Sequence, residues 1–221
     1  MNEKEIRNIL ARCDHTLLSV TATRAETDAL IDEAAEYGVA SVCIPPYYVK
    51  YASEYSAGRV AVCTVVGFPN GYCTQGVKVA EARAAIADGA DEIDMVINIC
   101  ALKSGDTGYV KEEIAAVKKA CGDKILKVIV EAALLTEEEK LLVCDLVTEA
   151  GADYIKTSTG FAKGGATVED VALFRKRVGE NVRVKAAGGI RTLEAAQAMI
   201  EAGADRIGAS ALVRAAKEAG L

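Results

Sequence analysis

Six charged residues stand in segments that otherwise read as buried strands. Asp14 sits in CDHTLL, Asp94 in EIDMVIN, Lys127 and Glu131 in ILKVIVE, Lys156 in YIKTST and Lys185 in RVKAAGG. Side chains of a strand alternate between two faces. Asp94, Val96 and Asn98 therefore share one face, as do Lys127, Ile129 and Glu131, and Lys156 and Ser158. The opposite faces, such as Ile93, Met95 and Ile97, are purely apolar and suited to packing under helices. Buried charge persists only when it is paired and hydrogen-bonded. Here Asp14, Asp94 and Glu131 balance Lys127, Lys156 and Lys185. A structural ion-pair network accounts for any one of these residues. Three lysines on three inward faces are better explained by catalysis.

Lys156 and Lys185 fall on consecutive strand segments, and adjacent strands lie ~4.8 Å apart. The two ammonium groups are expected to face each other at close range. Burial and a like charge both favour the neutral amine, the form that attacks a carbonyl. On this reading Lys185 helps Lys156 to shed its proton, then serves as an acid or base of its own. Asp94 can pass protons through a water molecule. The set suits carbanion chemistry beside an imine: aldol cleavage or condensation.

Two later segments have the chemistry of an anion cradle. Gly188-Gly189-Ile190-Arg191 and Gly208-Ala209-Ser210 each run from a strand into a predicted helix start, where free N–H groups favour anions. Thr159-Gly160 supplies a third edge. Arg191 either assists or forms a surface ion pair.

The elements that must position these groups repeat along the chain. Gly89-Ala90-Asp91-Glu92-Ile93, Gly151-Ala152-Asp153-Tyr154-Ile155 and Gly203-Ala204-Asp205-Arg206-Ile207 share the pattern G-A-D-x-I, and Gly38-Val39-Ala40-Ser41-Val42 is a looser copy. Each reads as a glycine closing a helix in the left-handed conformation, a turn, then a strand. Strands are predicted at 13–18, 41–44, 60–67, 92–98, 125–131, 154–159, 183–187 and 206–209. Helices are predicted at 24–37, 47–56, 76–88, 109–121, 137–150, 168–178, 193–201 and 212–219. Thr136 and Thr192 read as helix N-caps, and Glu139 completes a capping box with Thr136. Strict alternation implies a parallel sheet covered by helices. Eight units in this length imply one α/β domain over residues 1–221: a single (β/α)8 barrel with a short N-terminal helix. An open doubly wound sheet is the alternative, but no G-x-G-x-x-G follows the first strand.

Of the 221 residues 51% are apolar, enough for a large core, and the net charge is −6. The acidic balance argues against nucleic acid or an anionic membrane as partner. No apolar run reaches the ~18 residues of a membrane span. The charged N-terminus, MNEKEIRNILARCD, lacks the apolar centre of a signal peptide, which points to the cytoplasm. Seven scattered cysteines, none in a C-x-x-C pair, are expected to be reduced and to pack as small apolar groups, Cys43 included. The lone His15 makes an imidazole metal site improbable and is expected to be a hydrogen-bonded wall residue.

CDHTLL, VCIPP, GFPNG, GADEIDMVIN, LKVIVE, GADYIKTSTGF, VKAAGGIRT and RIGAS also follow a familiar order. In motif and spacing, up to Ala211, the chain resembles the deoxyribose-phosphate aldolase family. KTSTGF and KAAGGIRT together are the most specific part of the match. The resemblance implies that Lys156 forms the Schiff base and that Asp94 and Lys185 donate and accept protons. It implies that Gly160, Gly188, Gly189, Gly208 and Ser210 hold phosphate, with Lys127, Asp14 and Thr16 in support. The implied reaction is reversible cleavage of 2-deoxy-D-ribose 5-phosphate to D-glyceraldehyde 3-phosphate and acetaldehyde, with no metal or organic cofactor. The implied partners are a phosphorylated sugar and identical chains in a dimer or tetramer. Three features depart from the family: Ser19 where many members carry lysine, Ala211-Leu212 after G-A-S, and the ending Lys217–Leu221 in place of a C-terminal tyrosine. Two competing functions are another Schiff-base sugar-phosphate aldolase and a non-catalytic phosphate-ligand binder on the same barrel.

Overall fold

The structure is a computed structural model that describes residues 1–221. Eight parallel strands close into a barrel in chain order: β1 (Cys13–Thr16), β2 (Ser41–Ile44), β3 (Ala61–Val66), β4 (Glu92–Val96), β5 (Ile125–Ile129), β6 (Tyr154–Lys156), β7 (Arg183–Ala187) and β8 (Arg206–Ala209). The expected α/β barrel is therefore present, and the open sheet is excluded. The expected N-terminal helix is α1 (Glu3–Leu10), whose Asn2 and Glu5 form a capping box. The helices outside the barrel are α2 (Arg24–Tyr37), α3 (Val49–Ser56), α4 (Gln75–Ala87), α5 (Ile99–Lys103), α6 (Thr107–Cys121), α7 (Glu137–Glu149), α8 (Val168–Arg177), α9 (Leu193–Glu201) and α10 (Leu212–Glu218). The expected caps form: Thr136 and Glu139 make a capping box on α7, and Thr192 caps α9. No helix is long and apolar enough to cross a membrane.

The G-A-D repeat sets the register of the barrel. Gly89, Gly151 and Gly203 have positive φ and turn the chain out of the preceding helix. The aspartate two residues later then grips the neighbouring strand. Carboxylates of Asp91, Asp153 and Asp205 accept from the N–H groups of Val62, Leu126 and Val184 at 3.1, 2.8 and 2.8 Å. Their own N–H groups donate back to the carbonyls of the same three residues at 2.7, 3.1 and 2.8 Å. In the looser copy Ala40 keeps only the backbone bond, to Cys13 O at 2.9 Å. A slip of one residue would turn every side chain to the wrong face. These paired bonds oppose such a slip at β3–β4, β5–β6 and β7–β8.

The main apolar core lies between barrel and helices and takes in Ile93, Met95 and Ile97, as the alternation requires. The strands end earlier than expected. β4 stops at Val96, and after Ile97 and Asn98 the chain forms α5, a helix the pattern does not reveal. β5 stops at Ile129, and Glu131 turns into a left-handed conformation at φ 52°. β6 has only three residues, Tyr154–Lys156. Polar Asn98 and Glu131 come four residues after Asp94 and Lys127, whereas Thr157 follows Lys156 directly.

Candidate active site

Asp94 is the hub of the barrel interior. Its Oδ2 accepts from Lys156 Nζ at 2.6 Å and from Lys185 Nζ at 2.7 Å, and its Oδ1 accepts from Lys127 Nζ at 2.9 Å. Strand register makes this possible: Asp94 pairs with Lys127, Ile129 with Lys156, and Lys156 with Lys185. Lys185 also donates to Asp14, and Thr16 hydroxyl donates to the Asp14 carbonyl at 2.8 Å. Lys127 additionally meets Glu92 at 2.5 Å and Asp14 at 3.4 Å. Arg206 closes the lower end on Asp14 at 2.7 Å and Glu92 at 3.2 Å.

Glu92 and Arg206 do not figure among the six charges read from the sequence, although both were legible. Glu92 is two residues before Asp94 and so shares its face. Arg206 stands two before Gly208 on β8. Glu131 is a correction in the opposite sense. It makes no ion pair with the lysines, because the chain leaves β5 before reaching it; its carboxylate accepts instead from Thr159.

The two lysines lie close together, as expected, and share a carboxylate as well: both donate to Oδ2 of Asp94. Burial opposes charge on Lys185, yet Asp14 and Asp94 outweigh it and hold its pKa above the ordinary lysine range. Lys127 is raised by the same contest, in which Asp14 and Asp94 prevail over burial. Burial likewise opposes the Asp94 anion, but Lys127, Lys156 and Lys185 keep it well below the usual carboxylate range. By formal charge the cluster sets Lys127, Lys156, Lys185 and Arg206 against Asp14, Glu92 and Asp94: four basic side chains to three acidic ones. Loss of one proton leaves it neutral.

Lys156 is the one of these lysines that reaches the cavity. Its side chain is 4% exposed where those of Lys127 and Lys185 are fully buried. It forms the floor of a cavity of about 420 Å³, with Thr16, Thr159, Gly160, Gly188, Gly189, Arg191, Gly208 and Ser210 in its wall. All five glycine and serine positions expected to hold phosphate, together with Thr16, therefore surround Lys156. Asp94, Lys185, Lys127 and Asp14 lie beneath the cavity.

The cavity rim is rich in unclaimed donors. The N–H groups of Gly160, Gly188, Gly189 and Ser210 find no acceptor within the chain. Gly188 and Gly189 have φ of 86° and 79°, a conformation open to glycine. A Cβ on Gly188 would also lie 3.1 Å from Gly165 Cα and 3.3 Å from Ser158 Cβ. Gly208 has a further reason to be glycine: a Cβ there would lie 3.1 Å from Lys185 Cε. Arg191 forms no ion pair within the chain and remains on the cavity wall.

The remaining titratable groups near the barrel are occupied. His15 points the other way along β1 and bonds Glu33 of α2 through Nε2 at 3.0 Å, as expected of a wall residue. Cys43 and Cys63 are register partners on β2 and β3, and both are buried. Cys63 Sγ donates to Asp94 Oδ1 at 3.2 Å and receives Lys127 Nζ at 3.3 Å. Cys43, Cys63 and Asp94 lie close enough to hold a metal ion, as do Asp14, Cys63 and Glu92. In both sets the carboxylates already hold lysine ammonium groups.

A buried amine at a cavity floor, joined to an acid and a base and rimmed by anion donors, is the equipment of an imine-forming sugar-phosphate enzyme. A profile of the DeoC/LacD family aldolases matches residues 9–217. The chain belongs to this family. It is 54% identical over 213 residues to the deoxyribose-phosphate aldolase of Streptococcus pyogenes serotype M4, covering 96% of each chain. It is 51% identical over 212 residues to that of Clostridioides difficile, covering 96% of this chain and 97% of the relative. Among solved structures, an aldolase designated QR15 superimposes with a TM-score of 0.91 at 43% identity over 95% of each chain. The deoxyribose phosphate aldolase of Aeropyrum pernix, described as a tetramer, gives 0.87 at 31% identity over 99% of this chain and 98% of the other. Within the DeoC/LacD family the 13–209 barrel is thus the matched body, and Lys156 with its cavity lies inside it.

Proposed function

We propose that this chain is a class I aldolase, a lyase that reversibly cleaves 2-deoxy-D-ribose 5-phosphate to D-glyceraldehyde 3-phosphate and acetaldehyde. The observation that carries the reading is Lys156: an amine at the floor of the cavity, bound to the same carboxylate oxygen as Lys185, beneath a rim of free N–H groups. The names of its relatives agree with it. The phosphate binds at the N–H groups of Gly160, Gly188, Gly189 and Ser210, which sets the aldehyde end over Lys156.

Lys156 gives up a proton, bringing the cluster to neutrality, and its amine attacks C1. Water leaves and a protonated imine forms. Asp94, the ionised carboxylate beside it, takes the C3 hydroxyl proton through a water molecule, with Lys185 as its relay partner. The C2–C3 bond breaks, glyceraldehyde 3-phosphate departs, and the electron pair rests in an enamine. Lys185 keeps a proton available because its pKa is raised, and C2 is reprotonated. Hydrolysis then frees acetaldehyde and restores Lys156. The lysine is itself the electron sink, so the chemistry requires neither metal nor organic cofactor. A cytoplasmic setting and assembly with identical chains, as in the tetrameric Aeropyrum pernix relative, belong to the same reading.

The test is reductive trapping. Borohydride with acetaldehyde or deoxyribose 5-phosphate should give one adduct, mapped by mass spectrometry to Lys156. Lys156→Ala should lose both the adduct and turnover. An adduct on Lys127 or Lys185 would refute the assignment, and no adduct in an active enzyme would refute the imine mechanism.

A further inference from the structure

We infer that Glu131 is a positioning residue that shapes the phosphate end of the cavity by holding the 159–161 loop. The inference rests on the reading of that rim as a phosphate cradle.

Glu131 is one of two non-glycine residues with positive φ, at 52°. Such a conformation is strained for a residue with a long side chain and persists only where its surroundings demand it. They do so here from both sides. Val130 N–H donates to Lys156 O at 3.0 Å and Ala132 N–H donates to Thr157 O at 2.8 Å. The two bonds pin β5 to the end of β6, and the chain turns over between them at Glu131.

The turn aims a buried carboxylate at one residue. Glu131 is 3% exposed and has no cationic partner. Its oxygens accept from Thr159 N–H at 3.2 and 3.3 Å and from Thr159 hydroxyl at 2.5 Å. With its proton committed, the Thr159 hydroxyl oxygen accepts from Phe161 N–H at 3.0 Å. The N–H groups on both sides of Gly160 are thereby consumed. Only the Gly160 N–H remains unclaimed, on the cavity wall. The carboxylate thus selects which amide of the loop faces the ligand, without touching the ligand itself.

The sign of the effect separates this role from a simple electrostatic one. Glu131→Gln removes a negative charge near an anion site. If charge alone mattered, phosphate would bind more tightly. If Glu131 orients the loop, phosphate binds less well, because a neutral amide oxygen accepts the two Thr159 bonds more weakly than a carboxylate does. Thr159→Val breaks the same bond from its other end and should act alike. Glu131→Gly relieves the backbone strain yet lacks the carboxylate, so a defect in it cannot come from strain.

The experiment compares deoxyribose 5-phosphate with deoxyribose as substrates, and inorganic phosphate as a competitive inhibitor. The three variants should raise KM for the phosphorylated sugar and Ki for phosphate by about tenfold, a step of ~1.4 kcal/mol. In Glu131→Gln and Glu131→Gly kcat should change little, and kcat/KM on deoxyribose should stay near that of the parent enzyme, which also reports correct folding. Unchanged or tighter phosphate binding in Glu131→Gln and Thr159→Val overturns the inference. A parent enzyme that shows no preference for the phosphorylated sugar and no inhibition by phosphate overturns the cradle reading instead, and this inference with it. Equal loss on both sugars in every variant assigns Glu131 to stability alone and overturns it as well.

Discussion

Replacing Lys185 with methionine tests the proton inventory of the site. Both Lys156 and Lys185 sit on one oxygen of Asp94, at 2.6 and 2.7 Å, so their nitrogens are no more than about 5 Å apart. At that separation two like charges repel by ~0.8 kcal/mol in water and ~3.3 kcal/mol at an effective dielectric of 20. With ~1.4 kcal/mol per pH unit, the repulsion is equivalent to roughly half a unit to two and a half units. In the parent enzyme, proton loss from Lys156 takes the cluster from one excess cation to neutrality. In Lys185→Met the resting cluster is already neutral, and proton loss leaves an excess anion. Methionine keeps most of the volume and leaves the site equally buried. The sign is therefore fixed: imine formation should move to higher pH, and its midpoint should rise by about half to two and a half units. The raised pKa of Lys185 means that it retains its own proton throughout this window, so the parent profile should show no second step from Lys185 below the ordinary lysine range. The assay is borohydride trapping with acetaldehyde from pH 5 to 11 in both proteins, with the Lys156 adduct quantified by mass spectrometry. Equal midpoints, or a shift to lower pH in the variant, would refute the reasoning and leave burial or another group to set the reactivity of Lys156.

Other expectations follow from the same geometry. Treatment with EDTA should leave activity unchanged, because the carboxylates of the two thiol-containing clusters are held by lysines; loss restored by zinc would contradict this. Gly189→Val should raise KM for deoxyribose 5-phosphate much more than for deoxyribose, since φ of 79° disfavours a branched side chain and moves the cradle amide; equal loss on both would mean a folding defect. Away from the active site, Lys78 and Glu113 form a fully buried pair at 2.7 Å, with Lys78 also donating to Val96 O at 2.8 Å. Lys78→Met should destabilise the fold by ~3–5 kcal/mol in urea denaturation by stranding the Glu113 carboxylate, and a loss below ~1 kcal/mol would show that the carboxylate is relieved by protonation or by water.

What the sequence discloses and what it conceals divide along a physical line. Elements governed by local rules were legible: glycines that end helices, aspartates that follow them, apolar runs that must be buried, and capping boxes such as Thr136 with Glu139. The faces of Asp94, Lys127, Lys156 and Lys185 were legible too, because alternation along a strand is local. Alternation tells which way a side chain points but not how deep in the barrel it lies. Depth depends on the stagger between strands, and that stagger brings Asp94 level with both lysines, so that one oxygen accepts from each. Glu131 failed for a related reason. ILKVIVE alternates through its last residue, but a bond to Thr159, 28 positions away, outweighs the local preference and turns the chain. Ile99–Lys103 falls between the predicted strand and helix, and it becomes a short helix that Asn98 caps, its side chain accepting from Ala101 N–H at 3.1 Å. The misplaced details converge on one consequence for mechanism. Proximity of two lysines does not by itself make one of them a nucleophile when both donate to one carboxylate oxygen. What distinguishes Lys156 is its place in a cluster with one proton more than neutrality requires, at the only end of that cluster that opens on the cavity.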